Sequence, residues 1–191
     1  MPDSLYWADN YIDKQMSASE AIRLIKPGRR VFISSACSEP QELVRALSAM
    51  AGRLTGLEIV RLMSQETTPL TTIANKSQDL SLNIRTIYLG SVGDETIAKN
   101  MRFITPLNMS DVPGLFKTRK LPINVALIHV SPPDDFGWMS LGISVDITLA
   151  ASVSADLVIA QVNPKMPRVL GQSFIHVNDV DAIVEHEEDL I

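Results

Sequence analysis

Few side chains in this sequence are of the types that move protons, attack carbonyls or bind metals. There are three histidines, His129, His176 and His186, and one cysteine, Cys37. No histidine has a ligand-type partner at metal spacing, so no metal site is expected. His129 lies inside an apolar run and suits a hydrogen-bonded sheet histidine better than a base. One cysteine forms no intrachain disulfide, and no Cys–His spacing activates it, so Cys37 is expected to be a small buried thiol. Asp134 and Asp135 are adjacent in a loop, where neighbouring carboxylates need not face each other. Asp134 follows two prolines and suits a turn made through its own backbone. No Gly-x-Gly-x-x-Gly follows the first strand, and no P-loop or Gly-x-Ser-x-Gly elbow occurs. No complete catalytic set is written here.

The stretch with the strongest shape is Ser131-Pro-Pro-Asp-Asp-Phe-Gly-Trp-Met-Ser-Leu-Gly-Ile-Ser-Val-Asp146. Its prolines fix φ and remove donors, and Gly137 and Gly142 permit backbone angles that other residues resist. It follows the apolar run Val125–Val130 and precedes an Ala-rich run predicted as a helix over about 144–155. Strand, shaped loop, helix is where α/β folds keep their chemistry.

The remaining elements fit that pattern. Tyr6, Trp7, Tyr11, Ile12 and Met16 have helical spacing and predict a short N-terminal helix docked by its aromatics. Ser17-Ala-Ser-Glu20 is a capping box for a helix that Pro27-Gly28 ends. Arg30–Ser34 is a buried strand. Ser35-Ala-Cys-Ser-Glu-Pro-Gln41 follows, with Pro40 opening a helix at its first position and running to about Arg53. Free N–H groups in that first turn would suit an anion or carbonyl; Ser38 capping the helix is the plainer account. Strands are predicted at 57–62 and 82–89, with a loop and weak helix over 64–80. A short helix over 96–101 and a strand over 102–105 come next. The helix over 110–117 is expected to break or bend at Pro113-Gly114. Lys117-Thr-Arg-Lys120 suits a solvated helix end. Leu157-Val-Ile-Ala-Gln-Val162, apolar but for Gln161, reads as a strand buried on both faces. Asn163–Gly171 is a second proline-ruled loop, and short strands close the sequence at 173–177 and 182–185. Helices alternating with all-buried strands imply an α/β fold: an open, mostly parallel sheet flanked by helices, in a single domain over residues 1–191.

Composition narrows the function classes. Net charge is −5, charged residues are 20% and hydrophobic residues 46%. No basic-aromatic patch supports nucleic-acid binding. No apolar run approaches a membrane span, and the N-terminus lacks signal-peptide character. A cytoplasmic protein is expected. The apolar ending Leu190-Ile191, after an acidic turn, raises the expectation of a piece of something longer.

Three loops, 35–41, 131–142 and 163–171, each follow a strand and fall on one edge of a parallel sheet. Their sequences carry a resemblance. Ser131-Pro-Pro-Asp-Asp-Phe-Gly-Trp-Met-Ser-Leu-Gly142 is similar to a Ser-Pro-Pro-Asp-x-x-Gly-aromatic-x-Ser-x-Gly segment of the acetyl-CoA hydrolase/transferase family, which includes 4-hydroxybutyrate and acetate CoA-transferases. Gln161–Gly171 with Ser173 and Ile175-His176-Val177 resembles that family's next block, and Ser35–Gln41 its early small-residue loop. The three occur in the family's order. The resemblance implies a CoA-transferase (NagB/RpiA-like) fold and the N-terminal half of such a protein. It implies chemistry on short-chain acyl-CoA and carboxylates through a glutamyl-CoA thioester, in acetate or related acyl metabolism. The nucleophilic glutamate would lie in a C-terminal domain outside this chain, joined in cis or in trans, so no catalytic residue is expected here. Coenzyme A would be a substrate, with no permanently bound cofactor and no metal.

Ser35, Glu39, Gln41 and Asn163 are then the candidate substrate-binding residues; the same four would equally serve to brace the loops. Acyl-CoA and a small carboxylate are the expected partners, a homo-oligomer is compatible, and nucleic acid and membrane are not expected. The rival reading is a non-catalytic binding or interaction remnant of the same family. A sugar-phosphate isomerase of similar fold is a distant third, because these loop motifs do not match it.

Overall fold

The structure is a computed structural model that describes residues 6–62, 82–87 and 105–190. The expected loop and weak helix over 64–80, the helix over 96–101 and nearly all of the strand over 102–105 lie outside the described residues. Five α-helices and eight strands are described. The helices are α1 (Trp7–Asp13), α2 (Ala18–Arg23), α3 (Gln41–Met50), α4 (Val112–Lys117) and α5 (Thr148–Ser154). The strands are β1 (Arg30–Ile33), β2 (Leu57–Arg61), β3 (Leu82–Thr86), β4 (Val125–Val130), β5 (Trp138–Ser140), β6 (Leu157–Val162), β7 (Phe174–His176) and β8 (Ala182–Glu185).

Six strands form one parallel sheet in the order β3-β2-β1-β4-β6-β8. Chain order reverses between β1 and β4, where Val31, Phe32 and Ile33 pair with Val125, Ala126 and Leu127. Every residue of β4 is buried, as a central strand covered on both faces requires. Side chains alternate between two cores. One face packs Ile33, Leu127 and Ile159 against Ile22 of α2 and Leu43 and Leu47 of α3. The other packs Phe32, Ile128 and Ala160 with Phe116 of α4, Ala151 of α5, and Met139 and Ile175 of β5 and β7. Among the described residues no helix is long and apolar enough to cross a membrane.

The capping box forms: Ser17 Oγ accepts from the Glu20 N–H, and the Glu20 carboxylate accepts from the Ser17 N–H at 2.9 Å. The N-terminal helix docks as expected through Trp7, whose Nε1 donates to the Asp135 carbonyl at 3.1 Å. Two helices differ from expectation. The helix containing Pro113 is not broken there, because it begins at Val112 and Pro113 falls in its first turn, where no N–H is missed. The helix after the long loop starts at Thr148 and not near 144. Asp146, at φ 25, turns the chain and accepts from the Thr148 N–H at 2.9 Å. The long loop also hides a strand. Trp138–Ser140 pairs antiparallel with Phe174–His176 in a separate two-stranded sheet.

Candidate active-site edge

The carboxyl ends of β1, β4 and β6 deliver three loops to one edge of the sheet, at and beside the point where strand order reverses. Such crevices are where open α/β sheets bind ligands.

The loop after β4 is internally closed. Ser131 N–H donates to the Ser140 carbonyl at 2.9 Å, and Ser131 Oγ accepts from the Ser140 N–H at 3.0 Å. Asp134 Oδ1 accepts from the N–H groups of Phe136 and Trp138 at 3.0 and 2.9 Å. This is the turn-making role its sequence context suggested. Burial alone would raise the Asp134 carboxyl; the Trp138 and Phe136 N–H groups and the Arg168 guanidinium outweigh that and hold it below its ordinary value. Arg168 ties this loop to the one after β6. Its guanidinium donates to the Trp138 carbonyl at 2.9 Å and to Asp134 Oδ2 at 2.9 Å, and stacks 5.1 Å from the Phe174 ring centre. Ser140 Oγ, fully buried, accepts from the N–H groups of Gly142 and Val169 at 3.1 and 3.2 Å. Gly142 has φ 60, and a Cβ there would stand 2.2 Å from Met166 Sδ and 3.0 Å from the Pro167 carbonyl oxygen. Only glycine satisfies both constraints. Asp134, Trp138, Arg168 and Phe174 line a groove of about 260 Å³.

The loop after β1 is built the other way. Ser34, Ser35 and Ser38 are 2% exposed or less. None of their hydroxyls finds a hydrogen-bond partner, nor does Gln41 Nε2. Ala36 is held at φ 50 to open a 3-10 turn over Ala36–Ser38. That turn corrects the expectation for Cys37. Its thiol is exposed, because the middle residue of the turn points outward while Ser35 and Ser38 point in. Glu39 is 2% exposed, and its charge offsets the burial that lowers the Arg61 guanidinium at the end of β2. Pro40 is the N-cap of α3, not its first helical residue. Two first-turn N–H groups are occupied from elsewhere: Gln161 Oε1 of β6 accepts from Glu42 and Leu43 at 3.1 and 3.3 Å. Ser38 does not cap this helix.

The third wall is tied to the end of the described chain. Asn163, fully buried, donates to the Glu188 carbonyl at 2.8 Å and accepts from the Lys165 N–H at 3.0 Å. Glu188 also accepts from Gln161 Nε2 at 2.6 Å and from Arg45 at 3.0 Å. His129 registers with Gln161 across β4 and β6, so both side chains lie on the α3 face of the sheet. His129 is 1% exposed, and the Glu39 backbone is the hydrogen-bonding group beside its ring. Burial pushes its imidazole down to about 4, against the pull of the Glu188 carboxylate, so it is neutral at neutral pH.

Ser35 and Glu39 therefore fall on the loop at the β1 end, and Gln41 opens α3 directly after it. Asn163 stands at the β6 end, with its amide engaged on both sides. Sequence reasoning passed over Arg168, Gln161 and Glu188, and read Ser38 only as a helix cap. Arg168 sits inside a motif-bearing loop and was the most accessible of these. Gln161, a polar residue at the end of an apolar strand, was a signal of the same kind. Nothing local marks Glu188.

The family model for the acetyl-CoA hydrolase/transferase N-terminal domain matches residues 3–191. A 4-hydroxybutyrate coenzyme A transferase from Clostridium kluyveri is 38% identical over 185 residues, covering 97% of this chain and 42% of that protein. A butyryl-CoA:acetate CoA-transferase from Anaerostipes caccae is 27% identical, covering 96% of this chain and 41% of its own length. Among solved structures, RipA from Yersinia pestis superposes with a TM-score of 0.87 at 26% identity, over 98% of this chain and 45% of that one. The chain thus spans less than half the length of these relatives. Matched by that model over nearly all of its residues, it belongs to the acetyl-CoA hydrolase/transferase family and corresponds to the N-terminal domain.

Proposed function

We propose that this chain, folded as one domain, supplies one wall of the cleft of a CoA-transferase or acyl-CoA hydrolase acting on short-chain acyl-CoA and small carboxylates. The observation that carries this reading is the convergence of the loops after β1, β4 and β6 on one edge of the sheet, with unpartnered polar atoms in the first of them. Ser35 and Gln41 meet the substrate; Glu39 and Asn163 hold the walls in place. Coenzyme A is a substrate, and the glutamate that carries acyl and then CoA as a thioester belongs to a C-terminal half outside these residues. A carboxylate attacks a thioester efficiently only when aligned and stripped of water. A wall of fixed loops, closed by its own hydrogen bonds, excludes water without adapting to each substrate. Such a protein works in the cytoplasm, where acyl-CoA is available.

Transfer of CoA from acetyl-CoA to a second carboxylate tests the reading. The purified chain alone gives none, and adding a C-terminal half from the same family restores it. Transfer by the chain alone overturns it.

A further inference from the structure

The first turn of α3 opens directly after Glu39 and Pro40, with Gln41 as its first residue. Helix geometry leaves the N–H groups of that turn without partners of their own. Those of Glu42 and Leu43 both donate to one atom, Gln161 Oε1. A primary amide has an accepting end and a donating end of nearly the same shape. Turned over, the Gln161 amide would set its NH2 against two N–H donors, and the cap would become a repulsion.

Glu188 holds the amide one way round. Its Oε1 accepts from Gln161 Nε2 at 2.6 Å. A carboxylate only accepts, so the amide nitrogen faces Glu188 and the amide oxygen faces the helix. The other carboxylate oxygen accepts from Arg45, one turn further along α3, at 3.0 Å. Glu188 is itself fixed from outside. Its carbonyl accepts from the buried Asn163 amide at 2.8 Å, and Lys165 pairs with the neighbouring Asp189 at 2.7 Å. Its side chain is only 14% exposed, so water competes poorly for these bonds.

We propose that Glu188 is a positioning residue: through the Gln161 amide it sets the first turn of α3, and with it the place of Gln41 on the cleft wall. The second half of this inference rests on the proposed function, to which it adds a residue that acts on substrate without touching it. It also accounts for Gln161, a polar side chain in a strand otherwise apolar.

Hydrogen exchange at neutral pH tests the lock. Glu188→Leu removes the acceptor and lets the amide turn. Protection of the Glu42 and Leu43 N–H groups should fall about tenfold, the worth of a lost hydrogen bond, and later turns of α3 should change less. Gln161→Glu alone sets two carboxylates against each other and should also lower protection. Combined, the two substitutions should restore it, because a carboxylate on residue 161 accepts whichever way round it lies. A side chain at 188 that merely fills space gives no such rescue. If Glu188→Leu fails to fold, folding of the double variant is the same rescue and its failure the same refutation.

Transfer of CoA with a C-terminal half present reads the consequence. Glu188→Leu should raise KM for the carboxylate about tenfold and leave kcat within about twofold, since the nucleophile lies elsewhere. The double variant should bring KM back. Unchanged protection in Glu188→Leu, or a double variant no better than the single ones, overturns this inference and leaves the proposed function standing. Lost protection with unmoved KM makes Glu188 a brace and overturns its positioning role. No transfer from the unaltered chain with a C-terminal half overturns the proposed function, while the exchange data still decide whether Glu188 orients Gln161.

Discussion

The loops after β1 and β4 lie side by side on one sheet edge and differ in how their polar groups are satisfied. In the β4 loop Ser131, Asp134 and Ser140 each accept bonds from backbone N–H groups, and Arg168 closes the outside. In the β1 loop three serine hydroxyls, as deeply buried as those of Ser131 and Ser140, bond to nothing within the protein. The first loop is finished by folding. The second has hydrogen-bonding capacity that folding leaves unused. The shaped Pro/Gly loop is closed by its own hydrogen bonds, and the plainer small-residue loop is not.

Breaking that contrast should have graded effects. Ser140→Ala strands two N–H groups, those of Gly142 and Val169. It should lower stability most, by about 2–3 kcal/mol in urea or guanidinium unfolding. His129 should show next, through pH. Its imidazole titrates near 4 in the folded chain against 6.5 when free. Between those values the unfolded chain holds the extra proton, so stability falls as pH drops from 6.5 and the loss levels off below 4. The full loss is at most about 3 kcal/mol. His129→Gln should remove that part of the slope, measured as the difference between the two proteins' unfolding free energies across the window. Arg168→Ala should cost about 1–2 kcal/mol, because the half-exposed guanidinium bonds carbonyls as well as Asp134. Arg168→Lys should recover little, since an ammonium lacks the planar fork. Ser35→Ala should change stability least, within about 0.5 kcal/mol, because the hydroxyl has no bond to lose. A loss as large as that for Ser140→Ala would erase the distinction between the two loops.

The frame of this fold was legible wherever one short segment carries its own physics. The Ser17–Glu20 box, the apolar runs of β4 and β6 and the Asp134 turn all emerged as read. Legibility failed where a residue's role is set by a distant one. Gln161 caps α3 although it lies far along the chain, and Glu188 anchors Gln161, Asn163 and Arg45 with no local pattern to announce it. Trp138–Ser140 was hidden because a three-residue strand in a Pro/Gly loop has too little alternation to register. Cys37 was misjudged because thiols are usually buried, and the turn at Ala36 decides otherwise. At the site, the loop positions were readable and the satisfaction of each polar atom was not, since that depends on which neighbours arrive.

The strand order has a consequence for assembly. On a growing chain, β1 can meet β2 once residue 61 has emerged, and β3 can join at residue 86. The other side of β1 must stay open until residues 125–130 are made. The middle of the sheet is thus a seam between an early half and a late half, and its closure waits on the long-range contact that most slows folding of parallel sheets. The unbonded serines lie along that seam. Until β4 arrives they face water, and their lost hydration counts against the final step of folding.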